Sequence, residues 1–253
     1  MTKKNKSAIQ RRLIPTYIFL IIVSFISVFP LYWMISAATN TSTDVSRGRI
    51  LPGSHFMENF HNLTAQQPLW RALGNSFFYA ILTTVICLLI CSIAGYGFEV
   101  YHDKWKDRVF SILLLAMMVP QVATMVPLFK MFSKAGLLNT AVGFILPIIS
   151  TPFMIMMFRQ NARSFPVDII EAARIDGLNE VRIFFQMFIP TMKSTYAAAA
   201  VITFMNAWNS YLWPKVIMTD NKAMTMPMLI ANLITGYVTD YGMLMCGVLF
   251  CSI

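Results

Sequence analysis

An acidic segment with small residues and a glycine runs from Glu171 to Pro190, between two long apolar stretches of the chain. Its carboxylates suit helix capping and ion pairing, and its small residues suit close contact with another surface. After Pro166, the carboxylate of Asp168 is placed to cap a helix, and Glu171 is placed to return a hydrogen bond to the Asp168 backbone N–H. We therefore expect a short helix that begins near Asp168 and carries an acid at its head.

The same segment predicts a turn followed by a second short helix. Ala172 and Ala173 are small enough for another surface to approach the backbone, and Gly177 ends or turns the first helix. An amphipathic stretch then runs on to Pro190, where the chain must bend. We name residues 160–193 the elbow, and we expect it to be a helix–turn–helix docking surface.

The composition of the chain requires a membrane. Apolar residues make up 57% of the sequence and charged residues 12%, and its 20 Phe exceed what a small soluble domain can bury. Five apolar stretches reach the roughly 20 residues that cross a hydrocarbon core. They cover about 15–37, 76–98, 109–132, 140–158 and 196–218. A sixth begins near Tyr241 and is cut off at Ile253, so we expect an all-α polytopic protein with six transmembrane helices and a natural chain that continues further.

Basic residues are distributed unevenly between the segments that join these stretches. Thirteen fall on one side of the predicted membrane and seven on the other. The thirteen are Lys3, Lys4, Lys6, Arg11, Arg12, Lys104, Lys106, Arg108, Arg159, Arg163, Arg174, Arg182 and Lys193. The positive-inside rule predicts a cytoplasmic N-terminal tail at 1–14 and a cytoplasmic elbow within a transmembrane domain over 15–253. Because the charges flank spans and form no continuous basic face, the net charge of +9 indicates no nucleic-acid partner.

The sequence lacks the patterns of several enzyme classes. It contains no G-x-x-x-x-G-K-[ST] loop, so we expect no ATP hydrolysis by this chain itself. His55, His61 and His102 fall in predicted loops without a Ser/His/Asp set, and the 4 cysteines fall in predicted spans without metal-ligand spacing. We therefore predict no catalytic residue, no metal site and no cofactor bound by this chain.

Polar side chains in the fifth predicted span indicate where a solute would pass. Asn206 and Asn209 are costly inside a span unless they face other helices or a wet cavity, and Trp208 and Tyr211 lie beside them. Amides next to aromatic faces suit a sugar, whose hydroxyls form hydrogen bonds and whose C–H faces stack. Gln121, in the third span, is a further candidate. The alternative is that the amides join helices and the aromatic side chains lie in the interfacial belt.

Prolines indicate bends in the third and fourth predicted spans. Pro120 and Pro127 in the third, and Pro147 and Pro152 in the fourth, each remove a backbone hydrogen bond. We expect bends at these positions that act as gate elements.

The spacing of residues in the elbow resembles the EAA loop of ABC-importer membrane subunits. That loop reads E-A-A, three residues, G, nine residues and I-x-L-P, and the elbow matches it except that Met187 and Ile189 replace Ile and Leu. Asp176 and the flanking Phe165-Pro166 resemble the carbohydrate-uptake, maltose-permease-like branch. Further matches are Asn59-Phe60, Asn75-Ser76, Pro120, Pro127-Leu128, Trp208-Asn209 and Pro214.

This resemblance implies an ABC importer type I permease fold, in the plasma (inner) membrane of a prokaryote. It implies two cytoplasmic ATPase subunits that use ATP and magnesium, a second permease subunit, and an extracytoplasmic solute-binding protein facing segments 39–74 and 219–240. The implied function is import of an oligosaccharide or a related sugar or polyol by alternating access. The residues implied to dock the ATPase are Glu171, Ala172, Ala173, Asp176, Gly177 and Pro190.

Other functions are compatible with parts of the sequence. An importer of an amino acid or a polyamine would share the elbow, and the sequence does not name the solute. A secondary transporter would need acids at mid-depth in its spans for ion coupling, and the first five predicted spans have none there. A purely structural membrane protein would not need a docking elbow.

Overall fold

The computed structural model describes residues 3–235 and 239–252, and every regular element in these ranges is helical. The α-helices are α1 Lys3–Ala38, α2 Ser42–Ser46, α3 Phe56–Gln66, α4 Leu69–Val100, α5 Lys104–Ala116, α6 Gln121–Lys134, α7 Ala141–Ile145, α8 Pro152–Ala162, α9 Val167–Ile175, α10 Glu180–Ile183, α11 Ile189–Thr191, α12 Lys193–Trp208, α13 Leu212–Ile217, α14 Met226–Ile234 and α15 Tyr241–Ser252. A π-helical turn spans Phe184–Phe188, and a 3-10 turn spans Asn221–Ala223. The prediction of an all-α fold is confirmed.

The chain divides into two compact units, of which the first holds residues up to Leu69 and from Leu229 onward. In this unit α15 packs against α1 and α3. Asn59 of α3 is buried, and its Nδ2 donates to the carbonyls of Ala38 and Asn40, each at 2.9 Å. The amide thereby satisfies carbonyls at the end of α1 that lack a partner within the helix.

The second unit, Trp70–Met228, contains nearly all of α4. With 32 residues, α4 is about 48 Å long. Near its start, Asn75 Nδ2 donates to the carbonyls of Lys222 and Met224, at 2.9 and 2.8 Å. Near its end, Tyr96 is buried against aromatic residues of the elbow. The two ends of α4 therefore hold different sets of loops.

Within the second unit, α4 and α8 approach closely at Gly95. A Cβ at this position would meet Phe158 Cβ at 2.6 Å and Arg159 N at 2.8 Å, so a larger residue would push the helices apart. One turn earlier in α4, Cys91 packs with Met154 and Phe158 in the same buried cluster. The contact makes α8, which leads into the elbow, a close neighbour of α4.

Two helices among the described residues are long and apolar enough to cross a membrane: residues Leu13–Ala38 of α1, and α4. The pair α5 and α6 passes the same criteria together but is bent by 100° at residues 117–120, where Pro120 removes a backbone donor. Pro127 lies inside α6 without ending it. The six-span prediction is therefore not confirmed by helix length and composition.

The fourth and fifth predicted spans are each divided. Between α7 and α8, Thr151 caps the new helix by accepting from Met154 N at 3.4 Å, with Pro152 at its first position. Between α12 and α13, Asn209–Tyr211 interrupt the helix, and Pro214 cannot donate to the carbonyl of residue 210. Both interruptions combine a proline with a side chain that competes for backbone groups.

The segments predicted to be external contain short helices. Residues 39–74 hold α2 and α3, and Thr41 caps α2 by accepting from Asp44 N at 3.2 Å. Within 219–240, the 3-10 turn and most of the segment are described, whereas residues 236–238 lie outside the described residues. Residues 1–2 of the predicted tail and residue 253 also lie outside them.

Candidate docking elbow and solute cavity

The first helix of the elbow, α9, begins at Val167 with Pro166 in the capping position and no side-chain cap. The predicted cap by Asp168 is wrong by position, because that residue lies inside the first turn. Its carboxylate still lies at the helix N-terminus, where the aligned peptide dipoles favour negative charge. The predicted helix itself is present, with its start one residue before the expected one.

Gly177 ends α9 in a left-handed conformation, with a φ of +80°. Gly177 N donates to Arg174 O, and Leu178 N donates to Ala173 O, each at 3.0 Å. This pair of hydrogen bonds is a Schellman motif, which satisfies the last carbonyls of the helix and reverses the chain. Leu178 packs against the buried cluster that contains Ala173, as the motif requires.

The two faces of α9 differ in what they contact. Ile170 and Ala173 are buried in an aromatic cluster with Phe184 and Phe188. On the other face, Glu171 and Ala172 are exposed, and Ile175 is 86% exposed. The exposed face of α9 therefore presents an acid, a small residue and an apolar side chain.

An ion pair joins the two halves of the elbow. Arg174 Nε lies 2.7 Å from Glu180 Oε1, and Asn179 caps α10 by accepting from Arg182 N at 2.9 Å. The Arg174 guanidinium lowers the pKa of the Glu180 carboxyl below its ordinary value of 4.5, and Tyr101 acts in the same direction. Both groups are therefore charged at neutral pH, and the ion pair spans the turn at Gly177.

The second half of the elbow changes helix type before Pro190. The π-helical turn over Phe184–Phe188 precedes α11, which contains Pro190 at its start. A regular α-helix would bring the proline ring against the carbonyl of Gln186, and the wider π turn makes room for it. The break in the helix falls at Met192, two residues after the proline at which we predicted a bend.

A cavity of about 660 Å³ lies within the second unit, at the places where three predicted spans are interrupted. These places are the start of α6, the segment between α7 and α8, and the segment between α12 and α13. The cavity brings together four of the five predicted solute-path residues: Gln121, Asn206, Asn209 and Tyr211. Interrupted helices expose backbone groups with no partner in the helix, so they add hydrogen-bonding capacity to such a cavity.

The fifth predicted solute-path residue lies elsewhere. Trp208 is 9% exposed and packs between α12 and α4, with its ring centroid 4.7 Å from that of Phe77 and 5.8 Å from that of Phe204. The helical step from Trp208 to Asn209 turns the indole away from the cavity that Asn209 lines.

Further polar groups line the cavity without having been predicted to do so. Thr124 and Thr151 both face it. The sequence carries a signal for the second, because a threonine directly before a proline is a typical helix start. Thr124 has no comparable signal: its position one turn after Gln121 matters only once the bend before α6 is known.

Trp213, which also lines the cavity, anchors α13. Its side chain is buried, its Nε1 donates to Gly143 O at 3.1 Å, and its ring meets Phe132 edge-on at 5.4 Å. A Cβ on Gly143 would lie 2.2 Å from Leu137 O, so α7 can approach the backbone of Leu137 only because residue 143 is glycine. These contacts hold the segment Asn209–Tyr211 in place.

Comparisons with known proteins identify the family of this chain. Residues 88–253 match the family described as the inner membrane component of binding-protein-dependent transport systems. The chain is 39% identical over 249 residues to the lactose transport system permease protein LacG of Rhizobium radiobacter, covering 98% of this chain and 91% of that protein. It is 36% identical over 230 residues to the arabinooligosaccharides transport system permease protein AraQ of Halalkalibacterium halodurans, covering 89% and 82%.

The fold also matches a solved structure. A chain of a bacterial ABC transporter involved in the import of the acidic polysaccharide alginate superimposes with a TM-score of 0.84, over 100% of this chain and 93% of that one. The sequence identity is 19%, so this likeness concerns the fold. From the family match and the two relatives, the chain belongs to the family of inner membrane components of binding-protein-dependent transport systems.

Proposed function

We propose that this chain is the membrane-spanning permease subunit of an ABC importer that carries a carbohydrate, an oligosaccharide or a related sugar or polyol, by alternating access. The relatives named above are permeases for lactose and arabinooligosaccharides, and a further relative is named for sn-glycerol-3-phosphate. The observation that carries the sugar assignment is the cavity lining: every side chain that the structure describes there is uncharged. Amide, hydroxyl and phenol groups suit a solute rich in hydroxyls, whereas a polyamine would call for carboxylates.

The elbow is proposed to dock the ATPase subunits. Glu171 and Ala172 are exposed in the middle of α9, whose other face is fixed in an aromatic cluster, so a partner would meet a preformed surface. Asp176 is exposed beside Gly177, and Pro190 follows in the second half of the elbow. ATP and magnesium would be used by two cytoplasmic partner subunits, and this chain would bind neither.

The proposed orientation combines the two ends of α4 with the distribution of basic residues. Segment 102–108 and the elbow meet at its last turns, where Tyr101 and Tyr96 lie 6.2 Å apart between centroids and Tyr96 contacts Phe188 at 4.8 Å. Segment 222–224 is held at its first turns through Asn75. The basic end is proposed to be cytoplasmic, together with the N-terminal tail.

In this proposal the chain crosses the membrane six times. The crossings are α1, α4, the bent pair α5 and α6, the pair α7 and α8, the pair α12 and α13, and α15. A second permease subunit would complete the solute path, and an extracytoplasmic binding protein would meet segments 39–74 and 219–240. When the ATPases close, the elbow would move α8 and α12 as a lever. The cavity lies at the start of α8 and at the end of α12, so this movement would change its shape.

A charge reversal at the elbow tests the proposal. Glu171→Lys places a positive charge in the middle of the exposed face of α9, against any basic partner. We expect loss of uptake of labelled lactose or an arabinooligosaccharide, with fewer ATPase subunits copurified through a tag on this chain, or with hydrolysis no longer stimulated by the solute. Glu58→Lys, the same change at an exposed acid in the first turn of α3, is the matched control for ATPase copurification alone, because α3 lies in the segment proposed to meet the binding protein.

Two outcomes would contradict the proposal. Glu171→Lys could keep its ATPase subunits together with normal stimulated hydrolysis and uptake, in which case the elbow is not the docking surface. Alternatively, the wild-type complex could take up spermidine or an amino acid and neither sugar, in which case the solute class is wrong.

A further inference from the structure

A buried arginine outside the elbow and the cavity joins three helices of the second unit. Arg159 of α8 is 8% exposed. Its Nε lies 3.2 Å from Glu99 Oε2 at the end of α4, and its Nη2 lies 2.6 Å from Asp107 Oδ1 in the first turn of α5. Its guanidinium also lies 4.3 Å from the ring centroid of Phe110. One side chain thus holds the ends of α4, α5 and α8 together.

The end of α4 and α8, together with the aromatic cluster, form a close-packed block that supports the elbow. Arg159 belongs to this block. Its backbone lies directly against Gly95 of α4. One turn further along α8, Ala162 is buried in the same aromatic cluster as Tyr96 and Phe188. Displacement of the elbow would therefore be transmitted to Arg159 through close-packed groups, which shift as a unit rather than deform continuously.

On its other side, Arg159 contacts the start of α5. We call α5 and α6 together the arm, because they lead from this contact to the cavity. Asp107 lies in the first turn of α5, and α5 continues through the 100° bend into α6. The first residue of α6 is Gln121, which lines the cavity. We propose that Arg159 is a positioning residue that ties this arm to the block supporting the elbow, so that movement of the elbow sets the position of Gln121. The inference rests on the proposed function.

The environment of the ion pair suits a contact that changes during a transport cycle. A cavity of about 800 Å³ lies against Glu99, Asp107, Arg159 and Arg163. The Asp107 side chain is 51% exposed, so water can replace the arginine as its partner at low cost, whereas the buried guanidinium always needs an acceptor. Glu99, with a side chain 23% exposed, remains as that acceptor when Asp107 moves away.

The test measures solute molecules carried per ATP hydrolysed by the purified, reconstituted complex, using labelled lactose, or an arabinooligosaccharide if lactose is not carried. Couplings between sites typically correspond to about 5- to 150-fold, so we expect Arg159→Met and Asp107→Asn each to lower this ratio by about fivefold or more, with the ATPase subunits retained. Asp107→Glu, which keeps the negative charge, should retain the wild-type ratio. A structural defect alone would lower uptake and hydrolysis together and leave their ratio unchanged.

Arg163→Met is the matched control. Arg163 directly follows α8, lies 3.5 Å from Glu99 Oε1, and has a side chain 56% exposed with no ion pair to Asp107 among the described residues. Its replacement should leave the ratio at the wild-type value. A ratio equally lowered by Arg163→Met would overturn the inference. The loss would then follow from removing any positive charge near Glu99 and not from the specific contact of Arg159 with Asp107.

The remaining outcomes are also decisive. If Arg159→Met does not accumulate, Asp107→Asn decides alone, because it leaves the guanidinium paired with Glu99; a wild-type ratio in that variant overturns the inference. A wild-type complex without solute-stimulated hydrolysis would refute the proposed function and this inference with it. A wild type that couples normally, beside variants that couple equally well, would refute only the role of Arg159.

Discussion

Gly177 adopts a backbone conformation that other residues disfavour. Its φ of +80° lies in the left-handed region, yet a Cβ built on it would meet no atom within 4 Å. The requirement for glycine there comes from the backbone alone and not from crowding. Gly97 of α4 has equally open surroundings and no positive φ, so the pair separates the two effects.

We expect Gly177→Ala to destabilise the elbow by about 1–2 kcal/mol, the typical cost of the left-handed conformation for a residue with a Cβ. Gly97→Ala should instead stabilise α4 by about 0.5–1 kcal/mol, because alanine loses less backbone entropy in a helix. Thermal unfolding of the two purified variants measures the difference. Equal stability of the two variants would show that the turn does not depend on the Gly177 conformation.

Asn209 is expected to contribute to solute binding. Its Nδ2 donates to Met205 O at 2.9 Å, which leaves its carbonyl oxygen for the cavity. Removing one hydrogen bond by Asn209→Ala should weaken solute affinity in transport by about 0.5–1.5 kcal/mol, roughly two- to twelvefold. Asn161→Ala is the control for solute affinity alone, because Asn161 makes the same bond to Met157 O at 2.9 Å and does not line the cavity, but lies at the start of the elbow. Equal transport kinetics in both variants would place Asn209 in helix packing.

For single residues, the sequence predicts well which residue type a position requires and predicts poorly the direction in which its side chain points. Gly177 was predictable because a positive φ has few alternatives to glycine. Asn209 and Trp208 are adjacent and looked equivalent in the sequence, whereas only the first lines the cavity. The pairing of Arg159 with Asp107, 52 positions earlier, requires the packing of α5 on α8, to which no local pattern points.

At the level of elements, a salt bridge links the two halves of the elbow. Arg174 and Glu180 are each 43% exposed at the side chain, so solvent screens the pair and its contribution to stability is modest. Its value lies in geometry, because it spans the turn at Gly177 and fixes the angle between α9 and α10.

This pair predicts a pH dependence. The pKa of Glu180 is lowered in the folded elbow, by Arg174 first and then by Tyr101, so the pair stabilises the elbow fully above the ordinary carboxyl value of 4.5. The stabilisation is lost as the pH falls below that value and through the lowered pKa. Hydrogen exchange of residues 167–183, corrected for intrinsic rates, should show protection decreasing over this range. Glu180→Gln should abolish the change.

Glu171→Gln serves as the control for the pH experiment. Glu171 is an exposed acid of α9 that makes no ion pair within the described residues. Its replacement should leave the pH profile of protection unchanged. A pH profile that persists in Glu180→Gln would assign the pH dependence to another group. The salt bridge would then not stabilise the turn.

The interruptions of the helices were predictable where prolines cause them. Pro120 and Pro152 mark the bends before α6 and α8, as expected from their missing donors. The break at Asn209–Tyr211 was not predicted, because the span reads as continuously apolar up to its polar centre. Pro214 carried the signal, since it leaves the carbonyl of residue 210 without a partner four positions earlier.

For the whole molecule, topology connects the distribution of charge to the proposed function. α4 is about 48 Å long by its rise per residue, more than the roughly 30 Å of a hydrocarbon core. The elbow and segment 102–108 lie at one end of it, and segment 222–224 lies at the other. The family and the fold do not by themselves say which end faces the cytoplasm, and the thirteen-to-seven distribution of basic residues supplies that assignment.

Single cysteines test this orientation, in a background that lacks Cys87, Cys91, Cys246 and Cys251. Lys222, Lys104 and Asp176 are all exposed, so a cysteine at any of them can be labelled from the side that it faces. In cells that lack the ATPase subunits, which are proposed to cover Asp176, an impermeant maleimide added from outside should label Lys222→Cys and not Lys104→Cys or Asp176→Cys. All three should be labelled once the membrane is opened. Labelling of Asp176→Cys in intact cells would place the elbow outside, where no cytoplasmic ATPase could reach it. Labelling of all three in intact cells would mean that α4 does not cross the membrane.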